Sequence, residues 1–129
     1  KEYLTLVKEI KKIIPDCGIS HDVITGFPNE SEADHKLTLN LMEQIKYEFG
    51  YMFKYSERTG TYAGKKLDDN IPEEVKKIRL QEIIDLQQKH SNYRTNQYIG
   101  KVVEVLVEKE SKKSKLFWSG RNEQNTVVV

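Results

Sequence analysis

The stretch Ile19-Ser20-His21-Asp22-Val23-Ile24-Thr25-Gly26-Phe27-Pro28-Asn29-Glu30-Ser31-Glu32 decides the fold. Its first half is rich in β-branched residues and stops at Gly26, which is typical of a short buried strand. Ser31 follows the turn, and Asp34 three residues later makes a capping-box pair that begins a helix. This strand-turn-helix unit predicts an α/β protein, in which ligands lie at the carboxyl ends of parallel strands. The same unit also occurs without any ligand, so both interpretations remain open.

The composition is that of a globular protein with one ordinary domain or two small ones. Of the 129 residues, 37% are apolar and 32% are charged, and the net charge is only +1, so a polyanionic partner would need a local basic patch. The single cysteine, Cys17, excludes a disulfide within the chain and a multi-cysteine metal site, and we expect a reducing, cytoplasmic setting. The sequence contains no signal peptide and no apolar run that could span a bilayer, so we expect no membrane partner.

The hydrophobic periodicity of the first sixty residues predicts the order helix, strand, helix, strand. Short links join these elements, which implies a parallel sheet with right-handed crossovers. The four elements are expected at Tyr3–Ile14, Ile19–Gly26, Glu32–Phe49 (closed by Gly50) and Tyr51–Ser56.

Both ends of the sequence suggest a larger protein. Residue 1 is a lysine rather than methionine, and Val127–Val129 looks like a strand broken off in mid-run. Two strands do not make a stable parallel sheet. We therefore expect a fragment whose missing strands lie upstream.

A long helix is expected from Pro72 to about Asn92. Glu73 and Lys77 are spaced for an i,i+4 ion pair. The polar segment Ser91–Gln97 follows as a link and as the expected domain boundary. The broad buried face of the helix is expected at Val75, Ile78, Leu80, Ile83, Ile84 and Leu86.

From Ile99 onward the period becomes that of short strands. Strands are expected at Val102–Glu108, Leu116–Trp118 and Thr126–Val129, with a charged loop over Lys109–Lys115. Short strands with basic loops favour a small OB-like barrel that binds single-stranded nucleic acid, although a solvated lysine hairpin beside a core tryptophan fits equally well. The candidate RNA contacts are Lys101, Lys112, Lys113, Lys115, Trp118 and Arg121.

Three separated motifs, Ile19–Glu32, Tyr55–Thr61 and Gly120–Val129, resemble the C-terminal part of the radical S-adenosylmethionine methylthiotransferases. The resemblance covers essentially the whole chain. It implies that residues 1–96 are the C-terminal portion of a radical SAM partial (β/α) barrel with its linking helix. Residues 97–129 would be the truncated start of a TRAM domain, a small all-β barrel that grips RNA.

The resemblance also implies an activity. The enzyme would add a methylthio group to an isopentenylated adenosine next to the anticodon of tRNA, and the full-length protein would be monomeric. Sibling enzymes act on threonylcarbamoyl-adenosine or a ribosomal protein, and a non-catalytic RNA-binding module is a further alternative. Such enzymes use S-adenosylmethionine and two 4Fe-4S clusters, whose cysteine motifs Cys17 does not match. We therefore expect this chain alone to be inactive and to bind no cofactor.

The resemblance places a cofactor pocket at the mouth of the barrel. Ser20, Asp22 and Gly26 share one face of the first strand and would point inward, although Asp22 could equally be structural. Tyr55 and Arg58 follow the next strand, and Arg58 could clamp a carboxylate or phosphate unless it is simply solvated. These five residues are the candidate cofactor contacts. The remaining ionisable candidates, His21, His35 and His90, are expected to be structural or exposed and not metal ligands.

Overall fold

A computed structural model describes residues 2–129, in which four helices and five strands form. Among these residues, no helix combines the length and the apolar character needed to cross a membrane. The elements in chain order are α1 (Glu2–Ile13), β1 (Ser20–Thr25), α2 (Glu32–Ile45), β2 (Phe49–Lys54), α3 (Tyr62–Lys66), α4 (Glu73–Asn96), β3 (Val105–Ser111), β4 (Ser114–Asn122) and β5 (Val127–Val128).

The predicted parallel pair is present: β1 and β2 are adjacent and parallel, from Ser20 opposite Phe49 to Thr25 opposite Lys54. Helix α4 contacts both strands and also packs on α2. The core beneath the sheet includes the fully buried Ile83. The α/β class expected from the sequence is therefore confirmed.

The opposite face of the β1–β2 sheet is open. Ile24, Tyr51 and Phe53 are all more than half exposed, and Asp22 lies on the same side of β1. Because side chains alternate along a strand, this is the face that the sequence assigned to Ser20 and Asp22. One face of the sheet thus carries helices and the other carries exposed apolar side chains.

The turn between β1 and α2 has the predicted capping box. The Ser31 hydroxyl accepts a hydrogen bond from the Asp34 amide at 3.1 Å, and the Asp34 carboxylate accepts one from the Ser31 amide at 2.9 Å. Gly26 and Asn29 both have positive φ, of 71° and 69°. Asparagine tolerates this left-handed conformation better than most residues, so the turn forms without a second glycine.

The predicted end of α2 is wrong. The helix stops at Ile45, where Lys46 adopts φ 54° and its amide donates to the Met42 carbonyl at 2.8 Å. Gly50 lies inside β2, and a β-carbon there would be 2.3 Å from His21 Nε2. The glycine is therefore needed for the close approach of the His21 ring and not for a helix cap.

The predicted end of α4 is also wrong, because the segment expected as a link is helical to Asn96. Two tertiary contacts explain the extra turns. The Ser91 hydroxyl donates to the Glu48 carbonyl at 2.7 Å, and Arg94 Nε donates to the Lys46 carbonyl at 2.7 Å. Polar residues thus tie the last turns of the helix to the loop before β2.

The expected Glu73–Lys77 pair does not form. Glu73 binds Lys54 on β2, whereas Lys77 donates to Glu74 at 2.8 Å. Lys54 on the strand therefore takes the place of Lys77 as the partner of Glu73.

The buried face of α4 differs most from the expectation. Of the six apolar residues expected there, Ile83 is fully buried, whereas Ile78 is mostly exposed. Each buried polar side chain has a partner outside the face, which removes most of the cost of burying it. Local periodicity does not reveal such partners. The buried residues of α4 are Lys76, Arg79, Ile83, Gln87 and His90.

Strands β3, β4 and β5 form an antiparallel sheet in that order. The hairpin between β3 and β4 turns at Lys112 and Lys113, so the expected longer loop is mostly strand. β4 runs from Ser114 to Asn122, so it extends beyond both ends of the strand expected at Leu116–Trp118. Trp118 is 61% exposed, so the alternative of a core tryptophan is wrong within residues 2–129.

The turn between β4 and β5 packs on the loop between α1 and β1. The Gln124 side-chain amide donates to the Asp16 carbonyl at 3.0 Å. A β-carbon on Gly18 would meet the Gln124 backbone oxygen at 3.0 Å. The antiparallel sheet therefore docks beside the amino-terminal end of β1.

Candidate functional site

A cleft of about 460 Å³ opens at the carboxyl ends of β1 and β2. Its lining combines apolar side chains with Arg58 and the hydroxyl-bearing residues Ser56 and Thr61. The lining residues are Ile24, Phe27, Phe53, Lys54, Tyr55, Ser56, Arg58, Thr61 and Ala63. Such a cleft can hold a ligand with an apolar ring and an anionic end.

Tyr55 is fixed in this cleft by its backbone and by its ring. Its amide donates to the Thr25 carbonyl at 2.8 Å, which continues the parallel ladder one residue past β2. Its ring meets Phe27 edge-on with centroids 5.1 Å apart, and the Lys76 ammonium lies 5.5 Å from the ring centroid. Tyr55 is consequently a buried part of the cleft wall.

The Glu30 side chain stabilises the turn between β1 and α2. Its carboxylate accepts hydrogen bonds from the Gly26 amide at 2.5 Å, the Phe27 amide at 3.2 Å and the Thr25 hydroxyl at 3.2 Å. These amides are therefore engaged by a side chain of the protein and do not face an incoming phosphate. The sequence pattern gives no indication of this role for Glu30.

Arg79 and His35 both contact Glu30. Arg79 Nη1 donates to the Glu30 carbonyl at 3.0 Å and lies 3.3 Å from its carboxylate. The His35 ring is buried, with Nδ1 3.7 Å from Glu30 and Nε2 2.7 Å from Glu82 on α4. The sequence feature that could have indicated this cluster is the basic residue Arg79 within α4, the helix that packs under the turn.

The cleft contains two of the five expected cofactor contacts. Tyr55 and Arg58 line it, and Gly26 lies between two lining residues, Ile24 and Phe27. Asp22 lines a different cleft of about 280 Å³, and Ser20 lies at the amino-terminal end of β1. The structure thus brings together the strand-end residues and leaves the two earlier residues apart from them.

Gly26 is constrained on its other side by α4. A β-carbon at this position would lie 2.4 Å from Lys76 Cγ, and the positive φ is itself unfavourable for other residues. Lys76 is buried, and its ammonium binds the Asp69 carboxylate at 2.5 Å. The end of β1 and the start of α4 are therefore tightly packed.

The expected RNA contacts are also only partly clustered. Lys112, Lys113 and Arg121 line a shallow cleft of about 240 Å³ together with Lys109 and Glu108. Lys115 and Trp118 on β4 do not line it, and the Lys101 ammonium lies 5.9 Å from the Tyr98 ring centroid. The cleft carries four cationic side chains against one carboxylate.

Within residues 2–129, no group of three or more His, Cys, Asp and Glu side chains is arranged to hold a metal ion. His21 binds Gln87 at 2.9 Å and stacks on Tyr47 with ring centroids 4.2 Å apart. Burial lowers the pKa of His21 below its ordinary value, since the charged form is poorly solvated there. The structural role expected for the histidines agrees with these contacts.

No protein-family model matches the chain. The chain is similar to curated enzymes named tRNA-2-methylthio-N(6)-dimethylallyladenosine synthase. The enzymes of Christiangramia forsetii and Flavobacterium johnsoniae are 69% and 57% identical to it over the whole chain. The enzyme of Amoebophilus asiaticus is 57% identical over 98% of the chain. The chain spans 27%, 27% and 26% of their respective lengths. Identity at this level over its whole length shows that the chain belongs to the family of these synthases.

Proposed function

We propose that this chain is part of a radical SAM methylthiotransferase that adds a methylthio group to isopentenylated adenosine next to the anticodon of tRNA. The observation that carries the proposal is the identity of 53% to 69% over the entire chain with synthases named for that product. Nothing comparable favours the siblings that modify threonylcarbamoyl-adenosine or a ribosomal protein, or a non-catalytic RNA-binding module. A tRNA substrate makes the cytoplasm the expected location, and we expect the full-length enzyme to be a monomer.

In this proposal residues 1–96 are the C-terminal portion of a partial (β/α) barrel. The one-sided packing of the β1–β2 sheet supports it, because barrel strands carry helices outside and face an interior with their other side. Ile24 and Phe53, near the carboxyl ends of the strands, would face that interior. Further strands of the barrel would then lie beside β1 or β2.

Residues 97–129 are the start of a TRAM domain in the same proposal. The three antiparallel strands and the lysine turn at residues 112–113 support an RNA-binding β module. Its expected contacts with tRNA phosphates and bases are Lys101, Lys112, Lys113, Lys115, Trp118 and Arg121.

The cleft at the strand ends fits part of an S-adenosylmethionine molecule. Phe27, Phe53 and Ile24 offer an apolar wall for an adenine ring, and Arg58 is an exposed cation suited to a carboxylate. When bound, S-adenosylmethionine supplies the radical chemistry of this enzyme class. The residues of this chain would bind and orient it, with Tyr55 as a rigid wall. Gly26, next to the lining residue Phe27, remains a proposed contact, whereas Ser20 and Asp22 lie outside this cleft and would contact only a part of the cofactor that extends beyond it.

The two 4Fe-4S clusters expected for the full-length enzyme do not fit this part of the protein. A cluster requires several thiolates, and Cys17 is the single cysteine of the chain. Cys17 lies in the loop after α1, with its Sγ 3.7 Å from the Gly18 carbonyl oxygen. The clusters would therefore be ligated outside these residues, and the chain alone would be inactive.

Mass spectrometry of tRNA nucleosides tests the proposal. A strain that lacks the gene should lose methylthiolated isopentenyl-adenosine and accumulate the isopentenylated precursor. Loss of methylthiolated threonylcarbamoyl-adenosine instead would identify a sibling activity, and persistence of both nucleosides would leave only the RNA-binding alternative. Complementation with an Arg58→Ala gene should restore less product than complementation with a Lys65→Ala gene, since Lys65 on α3 does not line the cleft.

A further inference from the structure

We propose that a further cleft, between the β1–β2 sheet and the antiparallel sheet, binds one nucleotide of an RNA strand, with the base against Tyr51 and the phosphate at Arg121. The inference rests on the proposed function, since it takes RNA to be the substrate. The volume of about 330 Å³ is at the lower end for small-ligand sites, roughly 300–1,000 Å³. Its lining includes Glu48, Phe49, Tyr51, Arg121, Asn125 and Thr126.

The cleft has an aromatic wall. The Phe49 and Tyr51 rings meet edge-on with centroids 6.1 Å apart, and Tyr51 is 61% exposed. Exposed aromatic faces of this kind stack on nucleobases with little preference for sequence. Phe49 and Tyr51 belong to the amino-terminal half of β2, whereas Arg58 follows its carboxyl end, so this cleft is separate from the proposed cofactor site.

The opposite side of the cleft carries an oriented cation. Arg121 Nη1 donates to the Asn125 carbonyl at 3.0 Å and to the Asn125 side-chain oxygen at 3.1 Å, which fixes the guanidinium group. Its Nε lies 3.7 Å from the Glu108 carboxylate. A guanidinium held in this way suits a phosphate oxygen.

Arg121 also connects the two clefts of the antiparallel sheet. It lines the basic cleft that contains Lys109, Lys112 and Lys113, and it lines the aromatic cleft as well. A strand whose phosphates contact the lysine turn would therefore pass Arg121 and bring its next base toward Tyr51. This continuity of positive charge with an aromatic surface favours a nucleotide over an uncharged apolar ligand.

The carboxylate in the wall of the cleft does not oppose this assignment. Glu48 is nearly buried, accepts a hydrogen bond from the Ile19 amide at 2.7 Å and lies 3.4 Å from Arg94 Nε. Its charge is thus compensated from within the protein. The exposed charge facing the cleft is that of Arg121.

The docking of the β4–β5 turn keeps the two walls together. Asn122 Oδ1 accepts hydrogen bonds from the Gln124 amide at 3.1 Å and the Thr126 amide at 2.8 Å, which shapes the turn. Gln124 is then buried against Asp16 and Gly18 of the other sheet's body. The cleft is therefore built by tertiary contacts on both sides.

Fluorescence anisotropy with a short fluorescein-labelled oligo(A) RNA tests the inference on the full-length protein of which this chain is part. Tyr51→Leu should weaken binding about tenfold with an unchanged salt slope, because stacking is lost and no phosphate contact is. Tyr51→Phe should bind as the wild type does. Arg121→Gln should reduce the salt slope by about 0.7, the value for one phosphate of a single strand.

The matched control is Tyr62→Leu, since Tyr62 is an exposed tyrosine on α3 outside the cleft. If Tyr51→Leu keeps its circular dichroism spectrum and binds no worse than Tyr62→Leu, the inference is wrong while binding through Lys112 and Lys113 can still hold. If the wild-type chain binds no RNA at all, the RNA contacts of the proposed function fail together with it.

Discussion

His35 Nε2 on α2 and Glu82 Oε2 on α4 lie 2.7 Å apart, and the contact recurs with the residue types exchanged between the helices. Glu43 on α2 and His90 on α4 meet at 2.5 Å. Both pairs are separated by 47 residues in sequence, as expected for two parallel helices in register. Both imidazole rings are 1% exposed. Two buried histidines thus join the helices that support the sheet.

The pair of Glu43 and His90 predicts a loss of stability in acid. The hydrogen bond from His90 holds the pKa of Glu43 below its ordinary value of 4.5. The folded state therefore favours the ionised carboxyl, so its stabilisation is present above the unfolded pKa and is lost as the pH falls through the lower folded value. The free energy of unfolding should decline below about pH 4.5 in the wild type, and less steeply in His90→Gln.

Carbon-detected NMR titration measures this pKa directly. The Glu43 midpoint should lie below 4.5 in the wild type and rise in His90→Gln. Lys89→Ala is the matched control, because the Lys89 ammonium lies 3.5 Å from Glu43 and is a smaller cause of the shift. A larger rise in Lys89→Ala than in His90→Gln would contradict the assignment.

Glu30→Ala should be strongly destabilising. The change leaves the guanidinium of Arg79 buried without its carboxylate and frees the amides of Gly26 and Phe27. Breaking a buried ion pair in this way costs roughly 3–5 kcal/mol, which urea unfolding followed by circular dichroism would detect.

Glu32→Ala is the control for that measurement. Glu32 also approaches Arg79, at 3.7 Å, but its side chain is 65% exposed. A partly solvated pair of this kind contributes about 0–1 kcal/mol. Equal losses in the two variants would show that the turn does not depend on the internal carboxylate.

Local signals allowed part of the fold to be predicted. The capping box of Ser31 and Asp34 and the alternation of β1 and β2 depend on neighbours in sequence, and the structure has both. The predicted end of α2 was wrong because Gly50 leaves room for the ring of His21, which lies far away in sequence, and does not cap the helix. Glycine is a cap signal only where no tertiary contact needs the missing side chain.

The candidate site residues also divide into those set by local sequence and those set by tertiary contacts. Tyr55 and Arg58 could be predicted because a strand end positions whatever follows it. The role of Glu30 depends on Arg79, which lies 49 residues away on a helix whose buried face is largely polar. A pattern of apolar residues cannot find a face that is stabilised by ion pairs.

Gly50→Ala should destabilise the parallel pair. The added β-carbon would lie 2.3 Å from Nε2 and 2.6 Å from Cδ2 of His21, so the ring must move away from Gln87 and Tyr47. Overpacking of this kind costs about 1–3 kcal/mol by chemical denaturation. In a His21→Ala background the same change should cost clearly less, and strict additivity of the two changes would exclude this steric explanation.

Lys112, Lys113 and Arg121 replaced together by alanine should weaken tRNA binding and flatten its dependence on salt. Each phosphate contact releases condensed counterions, so the loss of three contacts should reduce the slope of log K against log salt by about 2 to 3. Filter binding of tRNA at several potassium chloride concentrations gives the slope. The matched control is a triple alanine variant at Lys36, Lys65 and Lys66, which removes the same charge from α2 and α3, outside the basic cleft. If the two triple variants lose the same amount of slope, net charge accounts for the binding and the basic cleft does not.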